Sequence, residues 1–302
     1  MSDGPRAQAR PRVLVLIRLG ADHRVSGWAK TPRAERDWDL VLSPYQDVPD
    51  LAEFEPDEVL PEAGGKWDAI HRLLTRRTDL LERAPRVWLP DDDLEADAAI
   101  VARFLDVVEA HDLALAQPAL TPDSAFSHAI TVRNRFARLR PTNFVELMAP
   151  ILSTELLRVC LPEMEGRPAA KGLDFVWAGH VRGAGRVAIV DAAAVAHRRP
   201  IGRHLAGRAR AKGHDVDAER DAWMTARFGR RWGRPVALGP GGRAGATLLT
   251  LLSFATTPAL WTRANAPRLG KHLLAQLIAP ARALAGPSDR PGPKAAVASG
   301  LD

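Results

Sequence analysis

The sequence is poor in cysteine and in aromatic side chains. Its 302 residues include one cysteine and one tyrosine, and aromatic residues make up 6% of the chain. A single cysteine, Cys160, excludes an intrachain disulfide, and no Cys/His spacing around it suggests zinc, so we expect a reducing compartment and a core position for the thiol. With 46% hydrophobic and 26% charged residues, the chain can form one large α/β domain or two smaller ones.

Long apolar runs are also scarce. The polar, basic start MSDGPRAQARPR is followed only by Val13 to Ile17, which predicts neither a signal peptide nor an anchor and favours the cytoplasm. The apolar stretch 244–261 has 18 residues, which is short for a membrane span, and Pro258 interrupts it. We interpret it as one arm of a buried or interfacial helical hairpin, with residues 267–285 as the other arm.

The charge is distributed unevenly along the chain. Residues 198–302 carry 18 Lys and Arg against 6 Asp and Glu, whereas residues 1–197 carry 24 against 30. An acidic body with a basic C-terminal part is typical of a catalytic domain with an appendage for an anionic surface. No sequence-reading nucleic-acid motif is present, so nucleic acid is the less favoured partner. Two alternatives stay open: peripheral attachment to the inner face of a membrane, or packing of these helices on the catalytic domain or a second subunit.

Strands alternate with helices in the first 110 residues. Apolar runs predict strands at 13–17, 39–43 and 87–89, and helical spacing predicts helices at 67–82 and 95–110. This alternation predicts an α/β fold with a mostly parallel sheet flanked by helices. The later pattern is looser, and its predicted strands are 113–117, 129–133 and 187–191, with helices at 154–161 and from Gly172 to His180.

Three aspartates follow the strand at 87–89, in the segment PRVWLPDDDL. Asp91 and Asp93 offer hard oxygens for Mg²⁺ or Mn²⁺ at the carboxyl edge of the sheet, where ligands of α/β proteins bind. The competing interpretation is that Asp92, three residues before Glu95, caps a helix. Asp174 and His197 would reach the same edge, and a transferase acting on a nucleotide diphosphate needs both a metal site and a separate base.

Seven segments resemble, in order over residues 12–202, a family of plant and bacterial proteins of unknown function. They are KWDAIHRLL, VWLPDDDL, LALAQPALT, HAITVRN, FVELMAPILS, KGLDFVWAG and VAIVDAAAVAHRRPIG. The plant members are labelled lysine-ketoglutarate reductase trans-splicing related, and the family is grouped with the GT-A-fold (Rossmann-like) nucleotide-diphospho-sugar transferases.

The resemblance implies a role for four of these residues. Asp91 and Asp93 would form the Asp-x-Asp metal motif with His197 as the third ligand, and Asp174 would be the catalytic base. The implied activity is a metal-dependent, inverting glycosyltransferase with a nucleotide-diphospho-sugar donor and an unknown acceptor. Two departures concern the mechanism: Leu173 stands where inverting enzymes commonly have Glu, and Met148-Ala149-Pro150 replaces a glycine-rich acceptor loop.

Four further side chains are weaker candidates. Lys66 and Arg133 could hold phosphate. Glu146, inside an apolar run, is either a substrate contact or a buried paired carboxylate, and His128 is either a sugar contact or a structural hydrogen-bonder.

The predicted organisation has four parts: a disordered tail at 1–11, a GT-A-like catalytic domain at 12–202, a basic helical appendage at 203–286 and a disordered tail at 287–302. The alternative function is a non-catalytic GT-A-like module that holds nucleic acid or a protein through its basic C-terminal region.

Overall fold

The chain folds around one mixed β-sheet with helices on both faces. The computed structural model describes residues 11–25, 27–183, 185–199, 215–228, 235–239 and 242–278. Its strands are β1 Leu14–Leu19, β2 Asp39–Pro44, β3 Glu58–Val59, β4 Arg86–Trp88, β5 Leu94–Glu95, β6 Leu115–Leu120, β7 Arg140–Pro141, β8 Ile151–Ser153 and β9 Val187–His197. Its α-helices are α1 Lys66–Arg76, α2 Leu80–Arg83, α3 Ala98–Ala110, α4 Thr154–Cys160, α5 Val216–Phe228, α6 Gly242–Ala255 and α7 Ala266–Ile278. The predicted α/β class is confirmed.

The strand order places the carboxyl ends of several strands along one edge. The order is β3-β2-β1-β4-β8-β6-β9-β5, and β7 pairs with the side of β9. The longest registers, β1 with β2 and β6 with β9, are parallel. The short β8 runs antiparallel between β4 and β6. Its three residues follow Pro150 directly and are too few to show a period of two, so the sequence pattern does not reveal this strand.

Strand β1 lies in the middle of the hydrophobic core. Its alternate side chains point to opposite faces of the sheet. Leu14 and Leu16 pack in the cluster that contains Cys160 and the apolar faces of α1 and α4. Val15 and Ile17 pack on the other face with the apolar side of α3. Full burial of each such side chain stabilises the fold by about 1.5–3 kcal/mol, which explains an uninterrupted apolar strand. The core position predicted for Cys160 is confirmed.

Three local predictions are wrong. The segment 129–133 forms a 3₁₀ turn, because the Thr131 hydroxyl donates to the His128 carbonyl oxygen at 2.7 Å and closes the turn. The segment 172–180 forms two 3₁₀ turns rather than one helix. The helix after the aspartates begins later than predicted: Asp97 caps α3 by accepting the Ile100 N–H at 2.7 Å, so Asp92 is not a helix cap.

Strand β9 continues six residues beyond its predicted end. The register between β6 and β9 shifts between Pro118 and Ala119, so that β9 bulges and then resumes pairing. Its last residue, His197, pairs with Leu94 of the antiparallel strand β5. The bulge therefore carries the histidine to the strand that directly follows the three aspartates.

The C-terminal helices pack on the sheet domain. One core cluster joins Leu94 and Phe126 to Phe254 of α6, to Leu269 of α7 and to Leu260, which lies between these two helices. The predicted helical C-terminal region is thus confirmed for the residues described there. Among these described residues no helix is long and apolar enough to cross a membrane. Apart from residue 11, the two predicted tails lie outside the described residues.

Candidate metal and catalytic site

Strand pairing positions the three aspartates. They lie between β4, which pairs with β8, and β5, which pairs with β9. Two backbone bonds extend the β4–β8 ladder into this segment: Leu89 N–H donates to Pro150 O at 2.9 Å, and Asp91 N–H donates to Met148 O at 2.8 Å. Backbone hydrogen bonds therefore hold the segment at the sheet edge, and the carboxylates are available for side-chain interactions.

Asp91, Asp93 and His197 form one cluster. One ligand atom from each side chain lies within 4.8 Å of the others. Ligands of one ion must lie within about 5 Å of one another, given metal–oxygen distances near 2.1 Å, and these three side chains meet that requirement. Asp93 and His197 are 4% and 9% exposed, whereas 35% of the Asp91 side chain reaches solvent. The cluster is therefore buried at Asp93 and His197 and open to solvent at Asp91.

The hydrogen bonds of His197 define how its imidazole faces the cluster. Its Nδ1 lies 2.8 Å from the carbonyl oxygen of Ala125, which can only accept, so Nδ1 carries the hydrogen. Its Nε2 lies 3.1 Å from Asp93 Oδ2. Although burial opposes a charge on the ring, the neighbouring carboxylate of Asp93 raises the pKa of His197 to about 8. Nε2 and Oδ2 are therefore joined by a proton, and a divalent cation between them would take the place of that proton.

The residues of the cluster fit a hard divalent cation. Asp93 Oδ1 is buried and has no hydrogen-bond partner among the described residues. Leaving a carboxylate oxygen unsatisfied is costly, which indicates a missing ligand rather than a structural role. Two carboxylates with one imidazole suit Mg²⁺ or Mn²⁺ when substrate oxygens and water complete the coordination.

Lys66, at the start of α1, neutralises Asp91. Its Nζ lies 2.6 Å from Asp91 Oδ1 and within 3.3 Å of the carbonyl oxygens of Leu89, Leu147 and Met148. These four acceptors already engage the three hydrogens of the ammonium group. The phosphate contact predicted for Lys66 stays a prediction, and it would require one of these bonds to be exchanged.

Asp92 ties three segments together, and sequence reasoning missed its partners. Its Oδ2 accepts the Gly20 N–H at 2.9 Å and the Tyr45 hydroxyl at 3.1 Å, and its Oδ1 accepts from Arg199 at 2.7 Å. A Cβ on residue 20 would overlap the end of the Tyr45 side chain, so a larger residue there would displace Tyr45 from Asp92. The middle aspartate therefore joins the ends of β1, β2 and β9 while Asp91 and Asp93 face the cluster. Arg199 follows His197 by two residues. This short separation is the one signal in the sequence that could have indicated Arg199 as a partner of Asp92.

Two further carboxyls, Glu146 and Asp174, are buried and interact electrostatically with each other. Burial raises the pKa of Asp174 to about 7. Burial, together with the charge of Asp174, raises the pKa of Glu146 to about 8, and the charges of His197 and Asp91 also act on Glu146. Asp174 Oδ1 and Glu146 Oε2 are buried without hydrogen-bond partners among the described residues. Within the described residues no ion pair joins Glu146 to an arginine, and both groups can hold or release a proton near neutral pH.

The remaining two candidates lie in different surroundings. The centroid of the His128 ring lies 4.6 Å from that of Phe144 and 5.8 Å from that of Phe175. Desolvation in these surroundings lowers the pKa of His128 to about 4. Arg133 is exposed and lines a surface cleft with Arg135 and residues 256–259, apart from the three clustered side chains. The sugar contact of His128 and the phosphate contact of Arg133 stay predictions.

The comparisons agree with the resemblance found in the sequence. A family model described as "Protein of unknown function (DUF707)" matches residues 58–143, which include Lys66, Asp91 and Asp93. No curated protein matches the chain. The family match covers the strand with the three aspartates and ends before Glu146, Asp174 and His197.

Similar solved structures include proteins in complex with UDP or UDP-GlcNAc. S. aureus TarS 1-349 in complex with UDP-GlcNAc is 12% identical with a TM-score of 0.43 over 65% of this chain and 60% of that chain, so this chain spans less than two thirds of its length. A second structure of S. aureus TarS 1-349 is 12% identical with a TM-score of 0.42, and the match covers 91% of this chain and 81% of that chain. Glucosyl-3-phosphoglycerate synthase from Mycobacterium tuberculosis, in complex with Mn²⁺, UDP and glucosyl-3-phosphoglycerate, is 14% identical with a TM-score of 0.43 over 67% and 77%.

Proposed function

We propose that this protein is a metal-dependent glycosyltransferase that moves a sugar from a nucleotide diphosphate donor to a hydroxyl acceptor with inversion. The observation that carries the proposal is the cluster of Asp91, Asp93 and His197, with a buried unsatisfied oxygen on Asp93. Its catalytic part would be the sheet domain, residues 12–202. Mg²⁺ or Mn²⁺ bound there would neutralise the diphosphate of the donor and stabilise it as the leaving group.

Asp174 is the proposed general base. An inverting transfer needs a group that accepts the proton of the acceptor hydroxyl, on the face of the sugar opposite the leaving diphosphate. A carboxyl with a pKa of about 7 accepts a proton readily near neutral pH, and Asp174 Oδ1 is not engaged in any hydrogen bond within the described part of the chain. Ionised Asp174 takes that proton as the oxygen attacks the anomeric carbon.

Glu146 is the proposed substrate contact. Its backbone N–H donates to the Gln117 side chain, and the residue is buried. With a pKa of about 8 it is mostly protonated at neutral pH, so its hydroxyl can donate to an oxygen of the donor or acceptor.

A nucleotide-sugar panel tests the proposal. Release of nucleoside diphosphate is followed with each donor in the presence of Mn²⁺, Mg²⁺ or chelator, using the wild type, Asp174→Asn and the control Asp112→Asn. Asp112 is a suitable control because its side chain is 72% exposed and pairs with Arg86 and Arg186 rather than with the cluster. We expect turnover with one donor that requires metal, persists in the control and falls at least 100-fold in Asp174→Asn.

Two results would contradict this function. Absence of turnover with every donor, together with nucleic-acid binding that weakens steeply with salt, would favour the non-catalytic binding module. Equal loss of donor binding and turnover in Asp174→Asn would make Asp174 a binding or folding residue rather than the base.

A further inference from the structure

Helix α6 exposes leucines and buries polar side chains. Leu248, Leu251 and Leu252, spaced as neighbours on one helical face, are 44–58% exposed. The opposite face buries Thr250 and Ser253, which are 3% and 1% exposed. A helix that packs on a globular core normally shows the reverse arrangement. The exposed face of α6 is therefore at least as apolar as the buried face, which holds Ala246 and Phe254 beside these hydroxyls.

Helix α7 shows the same inversion. Leu274, Leu277 and Ile278 are 49–61% exposed, whereas His272 and Gln276 are buried. The Gln276 side chain is fixed inward by bonds to the backbone of Ala237. The inward direction of Gln276 is thus set by specific contacts, and the leucines of the same helix are directed outward as a consequence. Two helices that expose leucines and bury polar side chains next to Phe254 and Leu269 indicate a surface that is covered by an apolar environment.

The charged side chains of this hairpin all have the same sign. From residue 222 to residue 288 the sequence contains no Asp or Glu. Over the described part of the hairpin, residues 242–278, its cations are Arg243, Arg263, Arg268 and Lys271. The hairpin itself carries only cations beside its exposed leucines, and Asp123 lies next to it in the cleft at residues 256–259. Such a cationic, apolar face is complementary to a surface that is apolar inside and negatively charged at its boundary.

We propose that the exposed face of the α6–α7 hairpin docks onto an anionic lipid bilayer. Its two helices have 14 and 13 residues, or about 20 Å each, so they can lie in the boundary between headgroups and acyl chains but are shorter than the hydrocarbon core of about 30 Å. A second copy of the chain fits this face less well. A symmetric pairing would bring the same cations towards each other with no acidic partner in the segment.

Vesicle co-sedimentation of the full-length protein tests the proposal. The vesicles contain phosphatidylcholine alone or phosphatidylcholine with phosphatidylserine, at low salt. The variants are Leu251→Gln, Leu277→Gln and Arg263→Gln, and the control is Val159→Gln, whose valine is 55% exposed on α4. Because every substituted residue is exposed, the variants should keep the wild-type stability.

The expected result is binding to the phosphatidylserine vesicles only. Each leucine variant should bind about tenfold more weakly. The arginine variant should bind about fivefold more weakly, since a cation near an anionic surface gains ~1 kcal/mol. The control should match the wild type.

Three outcomes would overturn the proposal. The first is failure of the wild type to bind the anionic vesicles at low salt. The second is salt-sensitive binding that neither leucine variant weakens, which would assign the binding to charge alone. The third is a wild-type dimer that the leucine variants convert to a monomer, shown by analytical ultracentrifugation, which would assign the face to a second copy.

Discussion

Replacing Asp174 by asparagine should change how the stability of the protein depends on pH. The folded protein holds a proton on Asp174 that the unfolded chain releases, because burial raises the pKa of this carboxyl to about 7. The stabilisation by that proton is complete below the unfolded pKa of about 4, and it is lost as the pH rises through about 7. Asparagine has nearly the same shape and no titratable proton, so the variant lacks this loss.

The magnitude follows from the size of the pKa shift. Between the unfolded and the folded pKa, stability falls by about 1.4 kcal/mol per pH unit. From about pH 5 to about pH 8 the wild type should therefore lose about 3 kcal/mol relative to Asp174→Asn. The assay is urea unfolding at several pH values in the presence of chelator, with Asp112→Asn as the control. The free energy of unfolding of the control should differ from that of the wild type by an amount that does not depend on pH. A constant difference between the wild type and Asp174→Asn would refute the assignment of Asp174 as a buried, proton-holding carboxyl.

Three further substitutions separate the roles of the residues around the cluster. Lys66→Met should destabilise the metal-free protein by about 3 kcal/mol in urea unfolding, because Asp91 loses its counter-ion, and added Mn²⁺ should stabilise the variant more than the wild type. If the metal-free variant is as stable as the wild type, the ion pair does not stabilise the fold. His197→Gln should weaken Mn²⁺ binding at least tenfold by calorimetry, whereas the exposed control His111→Gln should not; equal affinities would remove His197 from the site. Asp92→Asn should lower the unfolding free energy by about 1–3 kcal/mol while Mn²⁺ affinity stays within about threefold, and a large loss of affinity would make Asp92 a ligand.

The parts of the fold that could be predicted are those with a long, regular pattern. β1 and β2 are continuous apolar runs buried on both faces, and α3 has an apolar stripe at helical spacing, so each is visible without tertiary contacts. β8 and the turn at Ala129–Thr131 are short, and their backbone is determined by neighbouring strands and by one hydroxyl. Local propensity does not contain that information.

The cluster itself was predictable to a similar degree. A strand that ends in three aspartates identified Asp91 and Asp93, and the position of His197 after the last strand made it a candidate third member. The β9 bulge that delivers His197 depends on pairing with β6, and the groups that donate to Asp92 come from residues 47 to 107 positions away. Spacing along the chain cannot reveal such pairs.

The most direct test of the central claim is calorimetric titration of nucleoside diphosphates with and without Mn²⁺. The protein is the wild type, the double variant Asp91→Asn/Asp93→Asn, or Asp112→Asn as the control. We predict that the wild type and the control bind one nucleoside diphosphate at least tenfold more tightly with Mn²⁺, and that the double variant, shown to be folded by circular dichroism, loses this enhancement. Equal binding with and without Mn²⁺, or an enhancement that survives in the double variant, would contradict a metal-dependent nucleotide site at this cluster.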